Sequence, residues 1–216
     1  MAGVSREQFL SRITEALEKD RLELDLPDAS GARVVDADRP PTELFVKRAE
    51  QAGMALLWAS SPEEARNRVI RTAQSMEARS VLLAGPSTPA DELLRTEFAS
   101  AGIHMLDPTD PDAAFEADLG VTGVHAAIAE TGSLVIHAQP GTTRLASLAV
   151  PAHIAIVLES QIVPDLLDWA EREKAGPPAT GCVLITGPSK TGDIEMNLVT
   201  GVHGPGDVHV VLMTGH

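Results

Sequence analysis

The sequence predicts an α/β fold: a mixed, largely parallel sheet with helices on both faces. Three observations carry this. Between residues 42 and 106, short apolar runs of strand length alternate with amphipathic helical segments, the rhythm of right-handed crossovers between parallel strands. Further apolar runs at 153–158, 182–186 and 208–213 supply more buried strands. The 216-residue chain is 44% apolar but only 3% aromatic, with no Tyr, so its core is expected to be Val, Leu, Ile and Ala.

Phe9, Leu10, Ile13 and Leu17 recur at helical spacing and predict an amphipathic helix over residues 5–19. The Asp- and Pro-rich stretch 22–41 reads as a connecting loop. A helix from about Thr42 should stop at Gly53, followed by the strand MALLW (54–58). Ser61, Pro62 and Glu64 form a helix start, with a capping hydroxyl, a proline for the first turn and an acid at the capping-box position. That helix is expected to reach Ala78 and lead into SVLLAG (80–85). A third, over 90–101, stops at Gly102 before IHML (103–106). The acidic segment 107–120 is a lid or a partner surface.

VTGVHAAIAETGSLVIHA (121–138) reads as two strands about a tight turn at Glu130-Thr131-Gly132. Ile162–Lys174 has helical spacing, with Ile162, Leu166, Leu167 and Trp169 near one face. No internal repeat or long low-complexity linker is present. The expected division is an N-terminal helix and linker over 1–30 and one α/β domain over 31–216.

Seventeen basic against thirty-one acidic side chains give a formal charge of −14, which argues against a nucleic-acid groove. Cys182 is the single cysteine, so the chain alone cannot form a disulfide or supply a thiolate cluster or thiolate zinc site. The histidines show neither HxxxH nor HExxH spacing, and no metal site is expected. The N-terminus is charged and amphipathic rather than a secretory signal, and no apolar run approaches the ~20 residues of a membrane span. The expectation is a soluble cytoplasmic protein.

Three segments carry side chains suited to chemistry. ITGPSKTGDIE (185–195) reads as a strand, a glycine-rich turn and a helix beginning near Thr191 or Asp193. Such a turn offers backbone N–H groups to an anion. Gly187 and Pro188 shape it, Ser189, Lys190 and Thr191 add donors, and Asp193 and Glu195 add acceptors. Gly187 and Gly192 have P-loop spacing, but Asp193 stands where that motif needs Lys, which removes ordinary nucleoside-triphosphatase chemistry. The alternative is a purely structural turn capped by Asp193.

Glu130-Thr131-Gly132-Ser133 places a carboxylate and two hydroxyls at a turn between apolar strands. Glu130 there is either a group for acid–base or nucleophilic work or a solvent-facing acid. In GVHGP (201–205), His203 and Gly204 form a turn that binds a ligand or merely stabilises itself. Arg144, in QPGTTR (139–144), is a possible anion donor.

AIAETGSLV (127–135), ITGPSKTGDIE (185–195) and GVHGP (201–205), in this order and spacing, resemble the LUD-domain proteins of the lactate-utilisation C type. TTRLASLAVPAHIAIVL (142–158) is similar to the same family less tightly, and Gly192 stands where the family usually has Ala. The resemblance implies a fold of the NagB/RpiA/CoA-transferase superfamily and a role in oxidising L-lactate to pyruvate. It also implies two partner subunits carrying iron–sulfur clusters, with none in this chain. Carried over by position, the site comprises Glu130, Thr131, Gly132, Gly187, Pro188, Ser189, Lys190, Thr191, Asp193, Glu195, His203 and Gly204, with Glu130 and Asp193 as catalytic candidates. The resulting expectation is a subunit that binds a small anionic ligand or organises its iron–sulfur partners, with a homo-oligomer possible. The alternative is a free-standing superfamily enzyme acting on a phosphorylated or CoA-linked substrate.

Overall fold

A computed structural model describes residues 4–19, 40–85, 87–110, 112–138, 143–174, 179–191 and 199–215. The chain divides into two compact units, Met1–Arg33 and Val34–His216. The first contains helix α1, Arg6–Lys19, on which Phe9, Leu10, Ile13 and Leu17 are all exposed. Among the described residues, no helix is long and apolar enough to cross a membrane.

The second unit is built on a six-stranded, wholly parallel sheet. Its strands are β1 (Ala55–Ala59), β2 (Ser80–Ala84), β3 (His104–Met105), β4 (Leu119–Gly123), β7 (Ala152–Leu158) and β12 (Asp207–Met213), in the spatial order β1-β12-β7-β4-β2-β3. The final strand thus enters the sheet interior, paired on both sides. A second, four-stranded sheet has the order β8-β5-β6-β9. It contains β5 (Ala126–Ile128), β6 (Ser133–His137), β8 (Ile162–Val163) and β9 (Cys182–Ile185). The α/β fold and its largely parallel sheet are as expected, with the antiparallel pairing of β5 with β6 set apart in the smaller sheet. The parallel crossovers lie in the larger, and the hairpin between β5 and β6 lies in the smaller. The apolar stretch that begins at Val121 feeds both, because the chain leaves the main sheet between Gly123 and Ala126.

Two helices beside the main sheet form for reasons visible in the sequence. Helix α2 (Pro41–Ala52) begins with a proline and ends at Gly53, whose φ of 97° only glycine adopts easily. Helix α3 (Pro62–Ser75) is capped by Ser61, whose hydroxyl accepts from the Glu64 N–H at 3.2 Å. It stops before Ala78 because Glu77 turns left-handed (φ 55°) while Ala78 N–H bonds back to Ala73. Helix α4 spans Asp91–Ser100 and the short α5 spans Ala113–Glu116, inside the acidic segment.

One face of the main sheet is covered by α3 and α4, where Val69, Leu94 and Phe98 pack on Val81, Val121, Ile154 and Val211. The other face carries α2 and the second sheet: Phe45, Ala49, Leu134 and Ile136 meet Ala155, Val157, Val210 and Leu212. Alternate residues of β12 serve the two layers, as the strand period of two requires. The core is aliphatic and alanine-rich, with Phe45 and Phe98 the aromatics among its fully buried residues.

Two further expectations need correction. Residues 162–174 are not one helix, since Ile162–Val163 pair with β5 and only Leu166–Lys174 form α6. Pro164 disfavours a helical conformation at Val163, and Asp165 then accepts the Asp168 N–H to start the helix. Nor is β9 a buried strand. It is the edge of the second sheet, with Cys182 and Leu184 exposed.

Candidate functional site

Hairpin and glycine-rich segment meet through hydroxyls. The turn between β5 and β6 is closed by the Gly132 N–H bonding to Ile128, and the Glu130 N–H is held by the Pro164 carbonyl. Ser133, buried at the start of β6, lies 2.7 Å from the Thr131 hydroxyl and 2.6 Å from that of Thr186. Thr186 follows the last residue of β9, one rung beyond the Leu134–Ile185 pair. It was not among the expected site residues. The signal for it was a polar residue ending an apolar run, meaningful only once β6 and β9 are known to pair.

Both turns press against the C-terminal half of α2. A side chain on Gly132 would collide with the backbone of Arg48 and Ala49, and one on Gly187 with the Ala52 carbonyl. Both glycines are also left-handed, with φ of 69° and 94°. Here the glycines are required by close approach as much as by the turn. Pro188 packs beside Gly53, and Lys190 donates from Nζ to the Ala52 carbonyl at 3.4 Å. A cation at a helix C-terminus is favourable, so Lys190 has a structural task alongside any ligand.

The expected helix does not start at Thr191. Lys190–Thr191 form β10, which pairs antiparallel with β11 (Val199–Thr200). A helix start at Asp193 lies outside the described residues, as do Asp193 and Glu195 themselves. Among the described residues, the helix end nearest the turn is the carboxyl end of α2, whose partial charge is negative. Any anion held there would have to be bound by side-chain and backbone donors against that field.

The third segment joins the second directly. Ser189 N–H donates to the Pro205 carbonyl at 2.8 Å, and Gly201 N–H donates to the Ser189 carbonyl at 2.9 Å. A Cβ on Gly204 would sit 3.3 Å from that of Ser189 and 3.4 Å from the Leu148 carbonyl. His203 is exposed beside it. The structure thus brings together Thr131, Gly132, Ser133, Gly187, Pro188, Ser189, Lys190 and Gly204 around the end of α2, with Glu130 half-buried at the rim.

Arg144 is not part of this group. It begins the 3-10 turn Arg144–Ser147, and its guanidinium lies against Gly181, beyond the opposite end of β6 and β9.

Chain direction fixes where the assembly sits. Gly53 precedes β1, Gly204 precedes β12, and Leu148 precedes β7. The site therefore lies at the N-terminal ends of three parallel strands, whereas open α/β sheets usually hold ligands at the opposite ends. A groove of about 590 Å³ opens nearby, lined by Met76, Glu77, Arg79, Asp118, Ala152 and Asp207, none of them an expected site residue. It adjoins the third segment through Pro151, whose carbonyl accepts the Gly206 N–H. Among the described residues, no three of His, Cys, Asp and Glu are gathered to hold a metal ion.

These features define an α/β protein whose parallel sheet carries a satellite sheet, the two tied together by a glycine-rich hairpin at the end of one helix. The LUD domain model matches residues 42–213, spanning both sheets and all three segments. The chain belongs to the LUD-domain family. It is 41% identical over 117 residues to "Lactate utilization protein C" of an Exiguobacterium species, covering 50% of each chain. Over 133 residues it is 35% identical to the protein of the same name from a Geobacillus species, covering 56% of this chain and 55% of that one. The matched stretches span about half the length of these relatives. A crystal structure of a DUF162 family protein from Deinococcus radiodurans superposes with a TM-score of 0.57 at 24% identity, covering 81% of this chain and 96% of the other, and so shares the fold.

Proposed function

We propose that this chain serves in lactate utilisation, as a subunit without an iron–sulfur cluster of its own that holds a small anionic ligand beside iron–sulfur partner subunits. The observation that carries the reading is the meeting of the three family-like segments at the end of α2, joined by the Ser133–Thr186 and Ser189–Pro205 contacts. The likeness to relatives named lactate utilization protein C supplies the pathway. One cysteine cannot furnish the thiolates of a cluster, so in this reading the clusters sit on the partners.

In this reading Ser189, Lys190 and Thr131 are the donors for a carboxylate, and Glu130 at the rim faces the ligand's remaining polar group. Deletion of the gene should abolish growth on L-lactate as sole carbon source. Wild type should restore it, and Lys190→Ala, which keeps the fold, should not. Unimpaired growth of the deletion strain, or full rescue by Lys190→Ala, would remove the support for the reading.

A further inference from the structure

The far end of the second sheet gathers titratable side chains that the three segments do not contain. His137 closes β6, and Cys182 stands opposite it on β9. His125, in the connection between β4 and β5, stacks on His137 with ring centroids 4.2 Å apart and planes inclined by 20°. Its Nδ1 accepts the backbone N–H of His137 at 3.1 Å, so that nitrogen carries no proton. From α6, Glu173 brings Oε2 to 3.3 Å from Nε2 of His137, whose side chain is only 12% exposed. That separation suits an ion pair, yet among the described residues Nε2 has no well-aligned hydrogen bond. Among the described residues, Glu173, His125 and Cys182 are the titratable groups that face His137 from α6, the β4–β5 connection and β9. Arg144 lies one rung further along, against Gly181, whose side of the strand is opposite to that of Cys182.

Helix α6 lies on the outside of the second sheet. None of its residues is buried, and Trp169 is its packing residue on Ala126, Ile128, Val135 and Val163. We propose that His137, stacked on His125 and facing Glu173, is an acid-operated latch that draws α6 against the second sheet. With His137 neutral, the carboxylate meets a poorly aligned ring nitrogen. With His137 protonated, both partners are charged, and their partly buried attraction exceeds what bulk water would allow. His125 remains neutral through that step, because burial and then the His137 charge push it down to about 4. Burial and Glu173 push the Cys182 thiol up, so it too stays uncharged.

The test is hydrogen exchange of the amides of 166–174 in the full chain at pH 8 and pH 5.5, corrected for intrinsic rates. Amides of Asp207–Met213 serve as the internal reference for global stability. In the wild type, α6 protection relative to that reference should rise about threefold on acidification, the scale of a partly exposed ion pair. The rise should vanish in Glu173→Gln, a partly exposed helical position that leaves packing intact, and in His137→Gln. No rise in the wild type, or a rise that survives Glu173→Gln, would overturn the latch.

Discussion

The hydroxyls of Ser133 and Thr186 lie 2.6 Å apart, and this contact joins the hairpin turn of the second sheet to the glycine-rich segment. Ser133 is buried while Thr131 and Thr186 are exposed, so the buried oxygen depends on its two neighbours and they depend less on it. Ser133→Ala should cost about 1 kcal/mol, because the two threonines can turn to water. Thr186→Val should cost at least as much, because it leaves the buried Ser133 hydroxyl with Thr131 alone, and a double-mutant cycle in urea should return a coupling of about 0.5 kcal/mol or more. Simple additivity would mean that the contact does not join the two segments energetically.

Gly132→Ala should be the most damaging small substitution in the turn. The added methyl meets the α2 backbone at Arg48 and Ala49 and also sits at a positive φ, and the two together should cost about 3 kcal/mol. Gly102→Ala is the control. It has a comparable φ of 71° but open space around it, so about 1 kcal/mol is expected. Equal thermal-denaturation losses for the two would count against close packing of the turn on α2.

His153 lies fully buried in β7, with Nε2 2.9 Å from the Thr122 hydroxyl and Nδ1 without a hydrogen-bond partner among the described residues. Burial pushes its pKa down to about 4, whereas an unfolded-state histidine titrates near 6.5. The unfolded chain therefore binds the proton first. The stability contribution is full above about pH 6.5 and is lost as pH falls toward 4. Between pH 7 and pH 5, urea unfolding should show a loss of about 2 kcal/mol from this group. His125 and His209, also lowered by burial, act in the same direction. His153→Gln should flatten the dependence. An unchanged pH slope in that variant would place the acid sensitivity elsewhere.

Much of the frame was legible in the sequence because its signals are local. Ser61 and Pro62 announced α3, Gly53 announced the end of α2, and alternation of helices with apolar runs announced the parallel sheet. Non-local choices were hidden. Nothing in VTGVHAAIAE says that Val121 belongs to one sheet and Ala127 to another. CVLI reads as buried, yet it forms an edge that pairs on one side only. At Thr191 the GPSKTG segment read as a helix entry because glycine, serine and threonine suit helix starts and hairpins alike. Which one forms depends on Val199–Thr200 returning to pair with Lys190–Thr191. The site was legible as three segments. Thr186, Gly53 and the α2 carboxyl end were not, because their roles exist only after the segments meet.

Lys190 tests the account most directly. Its bond to the Ala52 carbonyl is exposed and 3.4 Å long, so Lys190→Ala should cost roughly 0.5 kcal/mol of stability and leave the fold intact. Thermal unfolding should be followed with L-lactate, pyruvate, phosphate, nucleotides and CoA, on wild type and on Lys190→Ala. A ligand at 100 times its dissociation constant stabilises by about 2.7 kcal/mol, which for a chain of this size raises Tm by roughly 5–10 °C. The account predicts such a rise for L-lactate or pyruvate in the wild type and its loss in Lys190→Ala. No rise with either compound, or an equal rise in both proteins, would contradict it.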